Sequence, residues 1–373
     1  MLDYSLKDPL DYDIFVPIDE EYPYDFDINA SDYLNDPDYM EENFFMSGNP
    51  KIDKFIRNDG RLKWIPYGQL TNIEYLARGG FGVVSKAKWK SQIVVLKSLN
   101  NSKDITADIL REIAYHQQFD HHNYVIYIMQ CYGISRDPTT GNYLMVMRYF
   151  EDGNLRQYLD SNYGQISLND KLGLLYSMAN GLYHIHFRGL IHKDFHPGNI
   201  LNKYSKELGN ISCFIADFGL CKPIDEANDG KNIYGVLPYV APEVLKGKPY
   251  TQASDIYSLG IVAYELLSGL PPYYSISHDI SLTIDICNGL RPNLDVVCVP
   301  QLLKTLIIKC WDDNPTLRPE AQEILFHFRK WYFDSDPEFR LQYQQIKVAK
   351  EELLTSNNLT YQTHPQAIYQ SIA

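Results

Sequence analysis

From residue 64 onward, apolar residues come in short runs broken by polar or glycine-bearing turns. The runs 73–76, 82–89, 93–96, 130–134 and 143–147 have the length and β-branched content of strands, and their close spacing predicts a meander of antiparallel strands. A helix-compatible segment over 105–119 interrupts them, and the turn Asp137-Pro138-Thr139-Thr140-Gly141 joins the last two. After Glu151-Asp152-Gly153-Asn154 the period becomes helical. Ser167 and Asp170 have the spacing of a capping box, and Leu172, Leu175, Tyr176, Ala179 and Leu182 follow as an i, i+3, i+4 stripe that buries one face. A short buried strand is expected over 213–216. The pattern therefore predicts an α+β chain, with a small antiparallel sheet and one helix first and a larger, mainly helical part after it. Beyond residue 334 one helix around 339–354 and an extended end are expected, with no role legible.

Residues 1–60 read differently. Acidic residues alternate with Tyr, Phe and Pro, as in Asp11-Tyr12-Asp13-Ile14-Phe15 and Tyr22-Pro23-Tyr24-Asp25-Phe26. Self-repulsion and proline predict an arm without an independent fold, either a solvated tail or a docking or autoinhibitory segment that presents its aromatics to a partner. The first fifty residues hold fourteen acidic residues against the single Lys7, so residues 51–373 carry 33 charges of each sign and the net charge of −13 belongs wholly to this arm. A body without basic excess gives no electrostatic ground for nucleic-acid binding.

Six cysteines, Cys131, Cys213, Cys221, Cys287, Cys298 and Cys310, lack metal-ligand spacing and read as free thiols of a reducing compartment. Met1-Leu2-Asp3-Tyr4 resembles no signal peptide and has no glycine to myristoylate. The most apolar run, 259–270, is short and contains Glu265. The expectation is a soluble protein of the cytoplasm or nucleus, with no membrane partner.

The chemistry concentrates in His192-Lys193-Asp194-Phe195-His196-Pro197-Gly198-Asn199. Asp194 can orient and deprotonate a hydroxyl, and Asn199 can ligate a hard cation through its amide oxygen. A surface loop is the bland alternative. Asp217-Phe218-Gly219, eighteen residues on, offers a second carboxylate beside a flexible glycine. Ala77-Arg78-Gly79-Gly80-Phe81-Gly82 places glycines at a hairpin, where bare backbone N–H groups can approach phosphate or simply turn the chain. Lys97 ends an apolar strand. It either caps that strand in solvent or meets an anion, for which Glu112 and a nucleotide phosphate are candidates. Glu243 has a prospective ion-pair partner in Arg318.

Together these motifs resemble the eukaryotic protein kinase domain, over about 64–333. Gly289-Leu290-Arg291-Pro292 and Cys310-Trp311 suit its tyrosine-kinase-like branch of Ser/Thr kinases. Trp64-Ile65-Pro66-Tyr67, Tyr234-Gly235-Val236-Leu237-Pro238-Tyr239 and Thr363-His364-Pro365-Gln366-Ala367-Ile368-Tyr369 are similar to the expanded kinase family of arbuscular mycorrhizal fungi. The resemblance implies a two-lobed fold, N-lobe 64–149 and C-lobe 150–333, binding ATP and Mg2+ and acting on Ser/Thr hydroxyls of protein substrates. It implies that Ala77, Gly79, Gly80, Gly82 and Val84 cover the nucleotide, and that Lys97, held by Glu112, contacts its α- and β-phosphates. Met147, Arg148, Tyr149 and Phe150 would border the adenine. Asp194 would be the catalytic base or orienting group, with Asn199 and Asp217 on the metal and Asp255 structural. His192 reads as a packed residue rather than a proton carrier.

Several positions depart from that pattern. Ala77 replaces the first loop glycine. Lys193 replaces the arginine that receives a phosphorylated loop, and no Ser or Thr lies between Gly219 and Ala241, so Ser/Thr phosphorylation of this segment is not expected to control it. His196 stands where a lysine usually faces the transferred phosphate. Either bound ATP keeps it protonated, as a charge pair worth up to roughly 4 kcal/mol allows, or it is a tolerated histidine. Val236 replaces a threonine. Gly198 replaces the arginine that many tyrosine kinases carry. These departures leave a pseudokinase or nucleotide-binding scaffold as the alternative.

Overall fold

The strand runs of the first third become a sheet because their side chains alternate between two apolar layers. Along Tyr143–Arg148, Leu144 and Val146 join Val94 and Leu96 on one face, while Met145 and Met147 join Ile113, Ile134 and Tyr143 on the other. The computed structural model describes residues 47–59, 62–79, 82–99, 102–103, 106–118, 127–206, 209–226, 233–352 and 361–369. In chain order these form α1 (Pro50–Asp59), β1 (Lys63–Trp64), β2 (Leu70–Gly79), β3 (Gly82–Trp89), β4 (Gln92–Leu99), α2 (Ala107–Gln118), β5 (Cys131–Arg136) and β6 (Tyr143–Arg148). The sheet order is β1-β5-β6-β4-β3-β2, antiparallel except for the short β1–β5 pair.

The second lobe begins with α3 (Leu155–Asn162), α4 (Leu168–Phe187) and β7 (Leu190–Ile191), followed by β8 (Ile200–Ser205), β9 (Asn210–Ile215) and β10 (Lys222–Pro223). It continues through α5 (Pro242–Leu245), α6 (Gln252–Ser268), α7 (Ile280–Cys287), α8 (Gln301–Cys310), α9 (Ala321–Tyr332) and α10 (Pro337–Glu352). The two-lobed α+β architecture read from the sequence is thus present. The expected capping box at Ser167 and Asp170 opens α4. Helix α6 is buried from Ser254 to Ser268 and ends at Gly269, whose φ of 73° closes the last turn. Among the described residues no helix is long and apolar enough to cross a membrane, and all six cysteines are free.

One boundary needs correction. The arm expected over 1–60 ends earlier, because 50–59 is helical and packs Ile52, Phe55 and Ile56 into the cluster around Ile113 and Tyr143. Ser47 Oγ donates to Asp53 Oδ1 at 2.6 Å, and Asn49 Nδ2 donates to Tyr143 Oη at 3.1 Å. The i, i+3, i+4 spacing of 52, 55 and 56 carried this signal, but acidity averaged over the whole stretch masked it. The remainder of the arm, 1–46, lies outside the described residues.

Candidate active site

Lys97 leaves β4 between two carboxylates contributed by different elements. Its Nζ lies 2.8 Å from Glu112 Oε1 on α2 and 2.7 Å from Asp217 Oδ1, just beyond β9. The strand-capping alternative for Lys97 is thereby removed. Burial alone would lower the Lys97 pKa, but Asp217 and then Glu112 more than reverse this and hold the ammonium above its ordinary value. The opposite balance applies to Asp217, whose carboxyl burial pushes up and Lys97 pulls below the usual range. Asp217 adopts φ 64°, a left-handed conformation uncommon outside glycine, and its Oδ1 also accepts the Gly219 N–H at 3.2 Å. Phe218 is buried, its ring 4.8 Å from His116 and 5.5 Å from His192, which locks this turn beneath α2.

The segment 192–199 is fixed by its backbone. Asp255, near the start of α6, accepts the N–H of His192 at 2.8 Å and of Lys193 at 2.9 Å, and lies 3.0 Å from His186 Nε2. His192 is fully buried. Its Nδ1 accepts the Asp194 N–H and its Nε2 lies 3.1 Å from the Ala216 carbonyl, the arrangement of a neutral ring, and burial lowers its pKa. Asn199 Nδ2 donates to the Asp194 carbonyl at 2.9 Å and to Asp194 Oδ2 at 3.1 Å. That fixes the amide orientation and presents Oδ1 as its acceptor atom.

His196 Nδ1 accepts the Gly198 N–H at 3.2 Å, and Nε2 lies 3.5 Å from Asp194 Oδ1. His196 thus packs its ring between the Gly198 backbone and the Asp194 carboxylate. Gly235, at φ 97°, closes over the same carboxylate: a Cβ there would meet Asp194 Oδ1 at 3.2 Å.

On the sheet side, Gly79 pairs with Gly82, and Ala77 pairs with Val84 next to the register position of Lys97. Gly82 has φ 147°, available to it because it lacks a Cβ. Gly80, assigned to the nucleotide loop, lies outside the described residues. Met147 is buried on β6. Arg148 stacks its guanidinium 5.2 Å from the Phe150 ring, and Phe150 packs 5.0 Å from Phe214. These two side chains are engaged in the protein's own packing, so what they can offer an adenine is backbone. Tyr149 lies under Lys86 Nζ at 4.9 Å.

Two further constellations were not legible beforehand. Lys193, at φ 70°, holds Nζ 4.9 Å from the Tyr250 ring and 6.0 Å from Tyr234. Burial, then Lys222, lower its pKa to about 8. Tyr250 Oη in turn binds the backbone of Tyr234 on both sides, accepting its N–H at 2.9 Å and donating to its carbonyl at 2.7 Å. Beyond it, Arg156 of α3 meets Glu265 of α6 at 2.6 Å and donates to Tyr239 Oη at 2.7 Å, and the Tyr239 hydroxyl donates to Glu265. Glu265, a lone charge in an apolar run, was the available signal, since a buried carboxylate requires a partner. The anticipated Glu243–Arg318 pair is present and bidentate, at 2.7 and 2.8 Å.

A family model described as protein kinase domain matches residues 70–331. A probable serine/threonine-protein kinase of Dictyostelium discoideum is 30% identical over 279 residues, 72% of this chain and 20% of that protein. A putative serine/threonine-protein kinase/receptor of Acanthamoeba polyphaga mimivirus is 31% identical over 287 residues, 75% of this chain and 17% of that protein. A serine/threonine-protein kinase of Arabidopsis thaliana is 28% identical over 275 residues, 72% of this chain and 46% of that protein. The chain thus spans a fifth or less of the length of the first two relatives.

Proposed function

The chain belongs to the protein kinase domain family, and from that premise we propose that it transfers the γ-phosphate of ATP to serine and threonine hydroxyls of protein substrates. The observation that carries this reading is Lys97 held between Glu112 and Asp217, in one fold with Asp194 and Asn199 tied to each other. Lys97, kept protonated, is suited to contact phosphate oxygens while Glu112 retains it. Asp194, braced through Asn199 and flanked by His196 Nε2, is suited to orient the acceptor hydroxyl and receive its proton. His196, beside Asp194, is assigned the role of an imidazolium that bound ATP keeps protonated against the transferred phosphate, and an unchanged pH profile in His196→Lys would reduce it to a tolerated histidine.

The residues fit a magnesium ion. Asn199 Oδ1, left as the amide's acceptor by the two bonds from its Nδ2, and the Asp217 carboxylate are hard oxygen donors. Two protein oxygens completed by phosphate and water is the mode magnesium prefers. When bound, the ion neutralises charge on the phosphates.

Gly198 favours Ser/Thr over Tyr acceptors within this reading. The tyrosine-kinase-like placement rests on Gly289 to Pro292 and on Cys310-Trp311 followed by Arg318-Pro319, and the kinship with kinases of arbuscular mycorrhizal fungi rests on residues 64–67, 234–239 and 363–369. For the acidic arm read over residues 1–60 a solvated tail is the first reading and a docking or autoinhibitory segment the second; its removal with activity and partner binding unchanged would end the second.

The test of transfer is autophosphorylation with labelled ATP and magnesium. Asp194→Asn is expected to lower incorporation by roughly 10²- to 10⁴-fold. Equal incorporation by both forms would sink the reading.

A further inference from the structure

Residues 361–369 lie along α3 and the connection between α6 and α7, held much as a bound peptide is held. The Tyr361 hydroxyl donates to Asp160 Oδ1 at 3.2 Å, and its ring meets Tyr274 edge-on at 5.2 Å. Backbone bonds follow: the His364 N–H donates to the Tyr274 carbonyl at 2.8 Å, the His278 N–H to the Gln366 carbonyl at 3.1 Å, and the Ile368 N–H to His278 Nδ1 at 3.0 Å. Tyr369 closes the series, with its hydroxyl donating to the Pro272 carbonyl at 2.9 Å and its ring under the Arg156 guanidinium at 4.6 Å.

Arg156 connects this strap to the candidate chemistry. The same guanidinium holds Tyr239 and Glu265, and the Tyr239 ring lies 6.2 Å from His196, which faces Asp194. Tyr369 therefore lies a few side chains from the candidate base. A polypeptide whose hydroxyl reaches Asp194 must run across the neighbouring surface at roughly 3.3–3.6 Å per residue. The face that the tail covers is joined to the candidate base through Arg156, Tyr239 and His196, so an acceptor polypeptide extending from Asp194 toward α3 meets the tail.

We propose, resting on the kinase reading above, that residues 361–369 occupy in cis the face on which an acceptor polypeptide is received, so that the chain's tail competes with its protein substrate. The bonds that hold the strap fall on α3 and the α6–α7 connection rather than on Lys97 or Asp217, which makes ATP binding the control. A tethered segment has an effective concentration on the order of 1 mM. With a free-peptide Kd of about 0.1 mM, the tether raises the acceptor KM about tenfold.

The test uses the full chain, a chain ending at residue 360, and a fluorescent synthetic peptide of sequence 361–369. The expected results are peptide binding to the shortened chain, several-fold weaker binding to the full chain, and weaker binding again in the shortened chain carrying His278→Ala. Shortening is expected to lower the acceptor KM for casein about tenfold with the ATP KM unchanged, and added peptide to restore it. No peptide binding to a shortened chain that unfolds as cooperatively as the full chain overturns the proposal, as does binding with equal acceptor KM in the two forms. If neither form transfers phosphate, the kinase reading fails, and the shared face is read without turnover: displacement of the peptide by casein supports it, and absence of displacement overturns it.

Discussion

Two buried cations of this protein are paired in opposite styles. Arg318 binds Glu243 through both terminal guanidinium nitrogens and gives two further donors to the Ala253 and Asp312 carbonyls. Its side chain is 0% exposed and that of Glu243 is 7%. Lys97 divides one ammonium between Glu112 and Asp217, and the Asp217 side chain is 23% exposed. The first arrangement is geometrically complete, planar fork against planar carboxylate, with no room for a third party. The second is a point charge with several possible partners, one of them reached by water. A permanent tie and an exchangeable one are thus distinguished by the number of committed donors and by access, more than by distance.

The largest expected effect comes from breaking the closed pair. Arg318→Ala strands Glu243 in the core and is expected to cost about 3–5 kcal/mol of unfolding free energy, measured by urea denaturation. A loss below about 1 kcal/mol would place this pair with surface bridges and collapse the distinction. Next, Lys97→Met is expected to lower phosphoryl transfer by about 100-fold or more, while destabilising the fold less than Arg318→Ala because water reaches the stranded Asp217. Equal destabilisation by the two would mean that the open site is as closed as the other.

Lys193 sharpens the comparison with the smallest effect. It is a third buried cation, packed over tyrosine rings, and its pKa is brought down to about 8 from 10.5 by burial and by Lys222. Between those values the unfolded chain binds the proton and the folded chain does not. Stability therefore rises with pH from about 8 toward 10.5, with a slope of at most about 1.4 kcal/mol per pH unit. Urea unfolding of wild type against Lys193→Met should show this slope in wild type only. Identical pH profiles would mean that Lys193 keeps its proton in the fold and belongs with Lys97.

Much of this was legible because local and tertiary demands agree. The strands of the sheet, the helix containing Glu112, the capping box at Ser167 and the Glu243–Arg318 pair could all be anticipated, since each is marked by its own period or by a charge that burial would strand. The boundaries were softer: β2 extends to Leu70–Gly79 where only 73–76 was expected. Helix α1 was missed because charge was averaged over a region where the apolar spacing was local. The network of Arg156, Tyr239 and Glu265 was out of reach for another reason. Its members are separated by 83 and 109 residues, and only the packing of α3 on α6 brings them together. His196 could be located as a departure, but its hydrogen bond to Gly198 depends on a backbone turn that residue identity does not specify.

Helix α6 holds the backbone of the segment bearing Asp194 through Asp255 and holds Tyr239 through Glu265. Ten residues separate these two carboxylates, about 15 Å along a helix axis. A helix is stiff in length where a loop is not, so α6 acts as a ruler between the point of chemistry and the segment beside it. Loops on either side can lengthen or change sequence without altering that spacing. Inserting or deleting a residue between 255 and 265 would change it by about 1.5 Å and turn one anchor about 100° from the other, so no change of length in this stretch could keep both anchors in place.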